Sequence, residues 1–213
     1  LNLYNERLLR LLAETQIPKV FLDTSSLVSP DELNGDLLLM ESRNSVRNIT
    51  AHLLEKGCTL PGFMGDIGYA QSNRERYEGF CQALMDAGKT PNPSLCLTTP
   101  LGIDSYREEI DSFLSSLSRM PDAFVCASDY VACILMQLLE KRGLRVPEDV
   151  AVSGFDNNIE DLLAENLTTV QVFNEELGSR LALQILYRIK YPHTPHEVTY
   201  LESKVLYRAS TGD

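Results

Sequence analysis

Three short apolar runs in this chain each end in a carboxylate: VFLD (20–23) at Asp23, FVCASD (124–129) at Asp129, and AVSGFD (151–156) at Asp156. An acid at the exit of a buried strand has two possible jobs. It accepts hydrogen bonds from a molecule bound beyond the strand end, or it accepts them from the first amides of the following helix. For Asp129 helix capping is the simpler expectation. Asp156 follows Gly154 and Phe155, a flexible turn and an aromatic face, which are ingredients of a small-molecule pocket. Phe155 fits the wall of such a pocket and fits the core equally well.

Other reactive side chains offer less. The chain has three histidines. His52 lies beside Leu53 and Leu54 and is expected at the edge of the core. His193 and His196 sit in YPHTPHE, whose HxxH spacing can ligate a metal, but a proline-rich loop has no helix to hold them and no third ligand is evident. Neither a metal site nor a cofactor is expected. No histidine accompanies a nucleophile, GDIG is too short for a phosphate loop, and an enzyme reading fares poorly. The five cysteines are scattered without a CxxC pair, as reduced, buried thiols of a cytoplasmic protein would be.

The elements that carry these residues alternate. Helical stripes are expected near the start (Leu8, Leu11, Leu12), over 44–56 (Val46, Ile49, Leu53) and from a Ser72/Glu75 capping box through Tyr77, Phe80 and Leu84. Further helices run through Tyr106, Ile110, Phe113 and Leu117 behind Asp104, over 129–142, and through Leu177, Leu181, Ile185 and Ile189 behind Asn174. Gly57, Gly88 and Gly143 should end three of them. Extended pieces lie between, with GFMG the weakest because Pro61 and Gly62 interrupt it. Strand–helix alternation means βαβ units, an α/β class with mostly parallel sheets. The helix over 129–142 is apolar almost all round, so it is either deep core or part of an interface with a second copy. The net charge of −11 repels nucleic acid and anionic membranes, so any action on DNA needs another module. No apolar run approaches the ~20 residues of a membrane helix.

With those elements in place the wording becomes recognisable. PDAFVCASDYVACILMQLLEKRGLRVPEDVAVSGFDN (121–157), followed by LTTVQ and LGSRLALQIL, resembles the effector-binding domain of the LacI/GalR family of bacterial transcription regulators. The hallmarks are Ser128-Asp129, Gly143, Val146-Pro147-Glu148-Asp149-Val150 and Gly154-Phe155-Asp156, with AHLLEKG and RERYEGF upstream and YRAST at the end. The resemblance spans essentially the whole chain and is most specific in its second half. It implies two doubly wound, mostly parallel subdomains of the periplasmic-binding-protein-like type joined by three crossovers. Residues 1–40 and 171–200 would form an incomplete amino-terminal subdomain, and residues 41–170 and 201–213 the other. The helix-turn-helix headpiece of such regulators is not in these residues, and the chain is expected to begin in the second helix of the first subdomain.

The resemblance also implies a site in the inter-subdomain cleft. Asp23 matches the acid that reaches sugar hydroxyls, and Arg76 the arginine before the glycine–aromatic pair, a typical effector contact. Asp156 matches the acid facing the ligand across the cleft. Ser128 stands where many members carry asparagine, and Glu41-Ser42 where Asp-Asn is common. Ser72, Phe155 and Asn174 complete the expected effector-binding set. A guanidinium with five donors between two carboxylates suits vicinal hydroxyls, so a neutral sugar is the expected effector. Arg76→Ala should abolish the response and leave the fold intact. The implied protein is a cytoplasmic, homodimeric repressor that reaches operator DNA through its headpiece and has no membrane partner. The alternative is a periplasmic sugar-binding protein of a transport system, which shares the fold and cleft.

Overall fold

The computed structural model describes residues 4–102, 105–157 and 165–213. The strands described form two parallel sheets and a short antiparallel ribbon. In the first sheet β2 (Asp36–Met40) lies between β1 (Val20–Leu22) and β8 (Val198–Leu201). No alternation along the sequence marks β2, yet every one of its side chains is buried. Its run of three leucines and a methionine is the continuous apolar pattern of a strand covered on both faces, which no alternation betrays. In the second sheet β3 (Pro61–Met64) and β5 (Ala123–Cys126) are central, flanked by β4 (Cys96–Leu97) and β6 (Ala151–Ser153). The expected weakness of GFMG is therefore a misreading. Gly62 is there for close packing, because a Cβ would lie 2.5 Å from the Leu95 carbonyl and 2.8 Å from the Phe124 ring. The ribbon pairs β7 (Thr169–Gln171) with β9 (Lys204–Leu206), and bridges from Ser153 and Asp156 tie it to the second sheet.

Helices cover these sheets, and their inner faces differ from expectation in instructive places. Helix α1 (Glu6–Ala13) buries Leu9 with Phe21, Leu33, Leu37 and Leu39, while Leu8 and Leu11 are exposed. Helix α6 (Asn174–Lys190) buries Leu177 but turns Gln184 and Arg188 inward and leaves Ile189 exposed. The reason is Asp36, a buried acid on β2 that receives hydrogen bonds from both polar side chains. Asn174 is the first residue of that helix, with Phe173 at the cap position.

Around the second sheet, α2 (Arg43–Glu55) and α3 (Gln71–Asp86) pack so closely that a Cβ on Gly79 would lie 2.1 Å from the Arg43 carbonyl oxygen. The expected capping box of α3 is absent. The helix begins one residue before Ser72, with Ala70 as its cap, and Ser72 and Glu75 bond elsewhere. Helix α4 (Tyr106–Ser116) has Ser105 at its cap position, and the expected cap Asp104 lies outside the described residues. Helix α5 (Asp129–Lys141) is capped by the Ser128 hydroxyl rather than by Asp129, whose carboxylate instead accepts from the Thr169 hydroxyl at 2.6 Å. Its apolar residues from Val131 through Leu135, with Leu138 and Leu139, are consumed by the chain's own core, so the helix itself presents little apolar surface to a second copy. Gly57, Gly88 and Gly143 do follow their helices in the left-handed conformation. Among the described residues no helix is long and apolar enough to cross a membrane.

Candidate functional site

Two of the three strand-exit acids sit in a backbone conformation that few non-glycine residues adopt. Asp23 has φ 58° and Asp156 φ 107°. The reversal after β1 and after β6 throws both side chains sideways, into a cleft of about 370 Å³ between the carboxyl ends of the sheets. From the first-sheet side come Leu22, Asp23, Met40, Asn174 and Leu177, and from the second-sheet side Ser72, Asn73, Arg76, Ser128 and Asp156. Every expected site residue except Phe155 thus lines one cavity. Phe155 is fully buried, with its ring 3.7 Å beneath the Arg76 guanidinium carbon. It supports the arginine by a cation–π contact and does not reach the cleft.

Arg76 is the unusual group. It comes from the first turns of α3 and is largely buried, and its Nη1 donates to the Ala127 carbonyl at 2.5 Å and to Asn73 Oδ1 at 3.3 Å. Its Nη2 approaches Asp156 only to 3.7 Å, and among the described residues its buried Nε has no hydrogen-bond partner. Burial pulls its pKa down, opposed by Asp156 and Asp23. On the same side of the cleft, burial pushes the Asp156 carboxyl up, against the pull of Arg76. The two charges form only a long, loose ion pair, so Nη2 and the carboxylate keep hydrogen-bonding capacity for a third party.

Asp23 is differently placed. One carboxylate oxygen accepts from the Ser72 hydroxyl at 2.5 Å, and the other from the amides of Thr24 at 2.7 Å and Ser72 at 3.3 Å. It borders the cleft but already holds the start of α3. Ser128 accepts from the Val131 amide at 3.3 Å and keeps its own proton to donate. Glu41 accepts from the amides of Asn44 and Ser45, so it serves the start of α2.

Sequence reasoning missed the aromatic rim. Tyr69 and Tyr106 line the cleft. Tyr4 packs at a tilt against Tyr69 with ring centroids 4.5 Å apart, and Tyr130 meets Tyr106 edge-on at 5.5 Å. Tyr106 is part of a helix stripe by its spacing, and Tyr69 lies in a loop with no periodicity to interpret. His193 and His196 are both exposed, and the described residues contain no cluster able to hold a metal ion. His52 is half-buried, bonded to Asp213 at 2.9 Å and packed on Tyr207. A roomier hollow of about 460 Å³ between α1 and α6 is lined by Leu12, Ile17, Val20, Leu181 and Ile185, and its polar lining residues Thr15 and Lys19 bond to each other.

Comparison with known proteins gives the same direction. A family model for a periplasmic binding protein-like domain matches residues 50–211. The HTH-type transcriptional repressor PurR of Aliivibrio salmonicida is 29% identical over 209 residues, covering 97% of this chain and 61% of the relative. The chain therefore spans about three-fifths of that relative's length. Among solved structures, a complex of the transcriptional regulator CelR with cellobiose aligns with TM-score 0.78 at 26% identity, over 90% of this chain and 58% of the other. A LacI-family regulator of Enterococcus faecium with bound ribose aligns with TM-score 0.75 at 22% identity, over 97% and 84%.

Proposed function

The chain belongs to the periplasmic binding protein-like family, as an effector-binding domain of the LacI type, and on that premise we propose that it is the ligand-sensing and dimerising part of a DNA-binding repressor. The relatives it matches are transcriptional regulators, not enzymes. In this reading the two sheets belong to two lobes, residues 1–40 with 171–200 and residues 41–170 with 201–213, and the effector bridges them. The effector is a neutral polyhydroxylated molecule, most simply a sugar. The observation that carries this is Arg76, a buried guanidinium whose Nη2 makes only a loose approach to Asp156 in a cleft that also offers Ser128 and Asn174. A guanidinium and a carboxylate a few ångströms apart donate to and accept from adjacent hydroxyls. Tyr69 and Tyr106 supply apolar faces against which a sugar ring packs. The cellobiose and ribose of the two similar structures support the ligand class. The acidic surface supports a separate DNA-binding headpiece, paired by homodimerisation on a two-fold operator. A regulator of this kind works in the cytoplasm. Binding shifts the operator affinity only by the difference in effector affinity between the two lobe orientations.

A thermal-shift screen of neutral sugars, sugar phosphates and nucleobases tests the assignment. One or more neutral sugars should raise the melting temperature, and Arg76→Ala should lose that rise. A shift of equal size in Arg76→Ala would remove Arg76 from the site. A shift confined to nucleobases would reassign the cleft to planar heterocycles stacked on the tyrosine rim.

A further inference from the structure

The first turn of α3 is held from both edges of the first sheet. On one edge, beyond β1, the Thr24 carbonyl accepts from the Gln71 amide at 2.8 Å, and Asp23 accepts from the amide and hydroxyl of Ser72. On the other edge the Tyr200 hydroxyl of β8 donates to Glu75 Oε1 at 2.8 Å, where Gln71 Nε2 also donates at 3.1 Å. Glu75 is a buried acid, and Arg43 of α2 and Asp23 are the other charged groups acting on it. Arg76 follows it directly, one turn beyond Ser72. The grips differ in character. Asp23 and Ser72 are buried, whereas Tyr200 is half-exposed on an edge strand and water can replace its bond.

We propose that the amino-terminal turn of α3 is a clasp between the lobes, with the Tyr200–Glu75 hydrogen bond as its releasable half. The bond favours the arrangement in which α3 stays docked on the first sheet and Arg76 faces the first-sheet wall of the cleft, with Asn174 and Leu177. Tyr200 and Glu75 are positioning residues. They act on the effector through the placement of Arg76. The clasp rests on the two-lobe reading above but needs no particular effector.

The amides of Gln71 and Ser72 are themselves donated across the lobes, so their hydrogen exchange reads the clasp without any ligand. In Tyr200→Phe, which removes only that hydroxyl, those two amides should exchange roughly three- to tenfold faster, while amides of α5 stay unchanged. Tyr200→Phe should add no further acceleration in a Glu75→Leu chain, because the bond is already gone. Unchanged exchange at Gln71 and Ser72 in Tyr200→Phe, equal acceleration in α5, or additive effects of the two substitutions would each overturn the clasp. Faster exchange at these amides together with a failed sugar screen would leave the clasp standing and sink the effector assignment instead.

Discussion

Asp156 is a residue whose backbone and side chain ask for different things. Its φ of 107° disfavours most side chains, but asparagine and aspartate tolerate positive φ better than others. Asp156→Asn should therefore fold normally while exchanging one acceptor for a donor beside Arg76. Calorimetry with the sugar found by the screen should show affinity weakened roughly tenfold, the scale of one charge-assisted hydrogen bond. Unaltered affinity would mean that Asp156 faces the cleft without touching the ligand. Arg76 needs a revised expectation. The residue is buried, and it satisfies the Ala127 carbonyl. Arg76→Ala consequently removes a structural donor as well as an effector contact. Chemical unfolding should show a loss of about 1–3 kcal/mol in addition to the lost response.

At the scale of elements, the junction of α6 with the first sheet is electrostatic where an apolar stripe was expected. Asp36 on β2 accepts from Arg188, from Gln184 Nε2 at 2.9 Å and from the Glu197 amide at 2.9 Å, and the Arg188–Asp36 pair is almost completely enclosed. Burial by itself would push the Asp36 carboxyl up. The hydrogen bonds from Arg188, Gln184 and the Glu197 amide together outweigh it and hold the pKa below the ordinary aspartate value. A depressed folded-state pKa contributes stability that is fully present above the unfolded value, about 4, and is lost as pH falls through the folded one. Urea midpoints should thus decline on acidification below about pH 4, and less so in Asp36→Asn. That variant should itself cost about 3–5 kcal/mol at neutral pH, since it leaves Arg188 buried and uncompensated. A midpoint insensitive to acid in the parent chain would contradict this account.

For the whole molecule, the two sheets differ in how well they are packed. The second is enclosed between clusters that include Phe63, Phe80, Phe124, Leu135 and Val152. The first relies on smaller groups around Phe21 and Leu37 and around Leu38 and Leu177, and its helices leave Leu8, Leu11, Leu183, Leu186 and Ile189 exposed. Less buried apolar area means a lower free energy of local opening. Native-state hydrogen exchange should find the amides of β1 and β2 opening at lower free energy than those of β3 and β5. Equal protection in both sheets would show that they unfold as one cooperative unit.

The alternation of apolar strands with capped helices was legible along the chain because burial in an α/β fold imposes local periods and local stops. The family wording around Gly154-Phe155-Asp156 was legible because it is contiguous. The same holds for most of the cleft, since strand exits are local events and ligand sites gather there. What the sequence could not reveal depended on partners far along the chain. The strand at 36–40 has no alternation to read, Arg188 turns inward only because Asp36 is opposite, and Ser72 abandons its capping box because Asp23 reaches it from the end of β1. Phe155 belonged equally to pocket and core until the guanidinium of Arg76 was seen to lie over it. By itself the sequence determined which residues carry charge and which strands deliver them. Only the tertiary structure decided which charges are already satisfied, because a hydrogen bond is short-ranged and its partner is chosen in three dimensions.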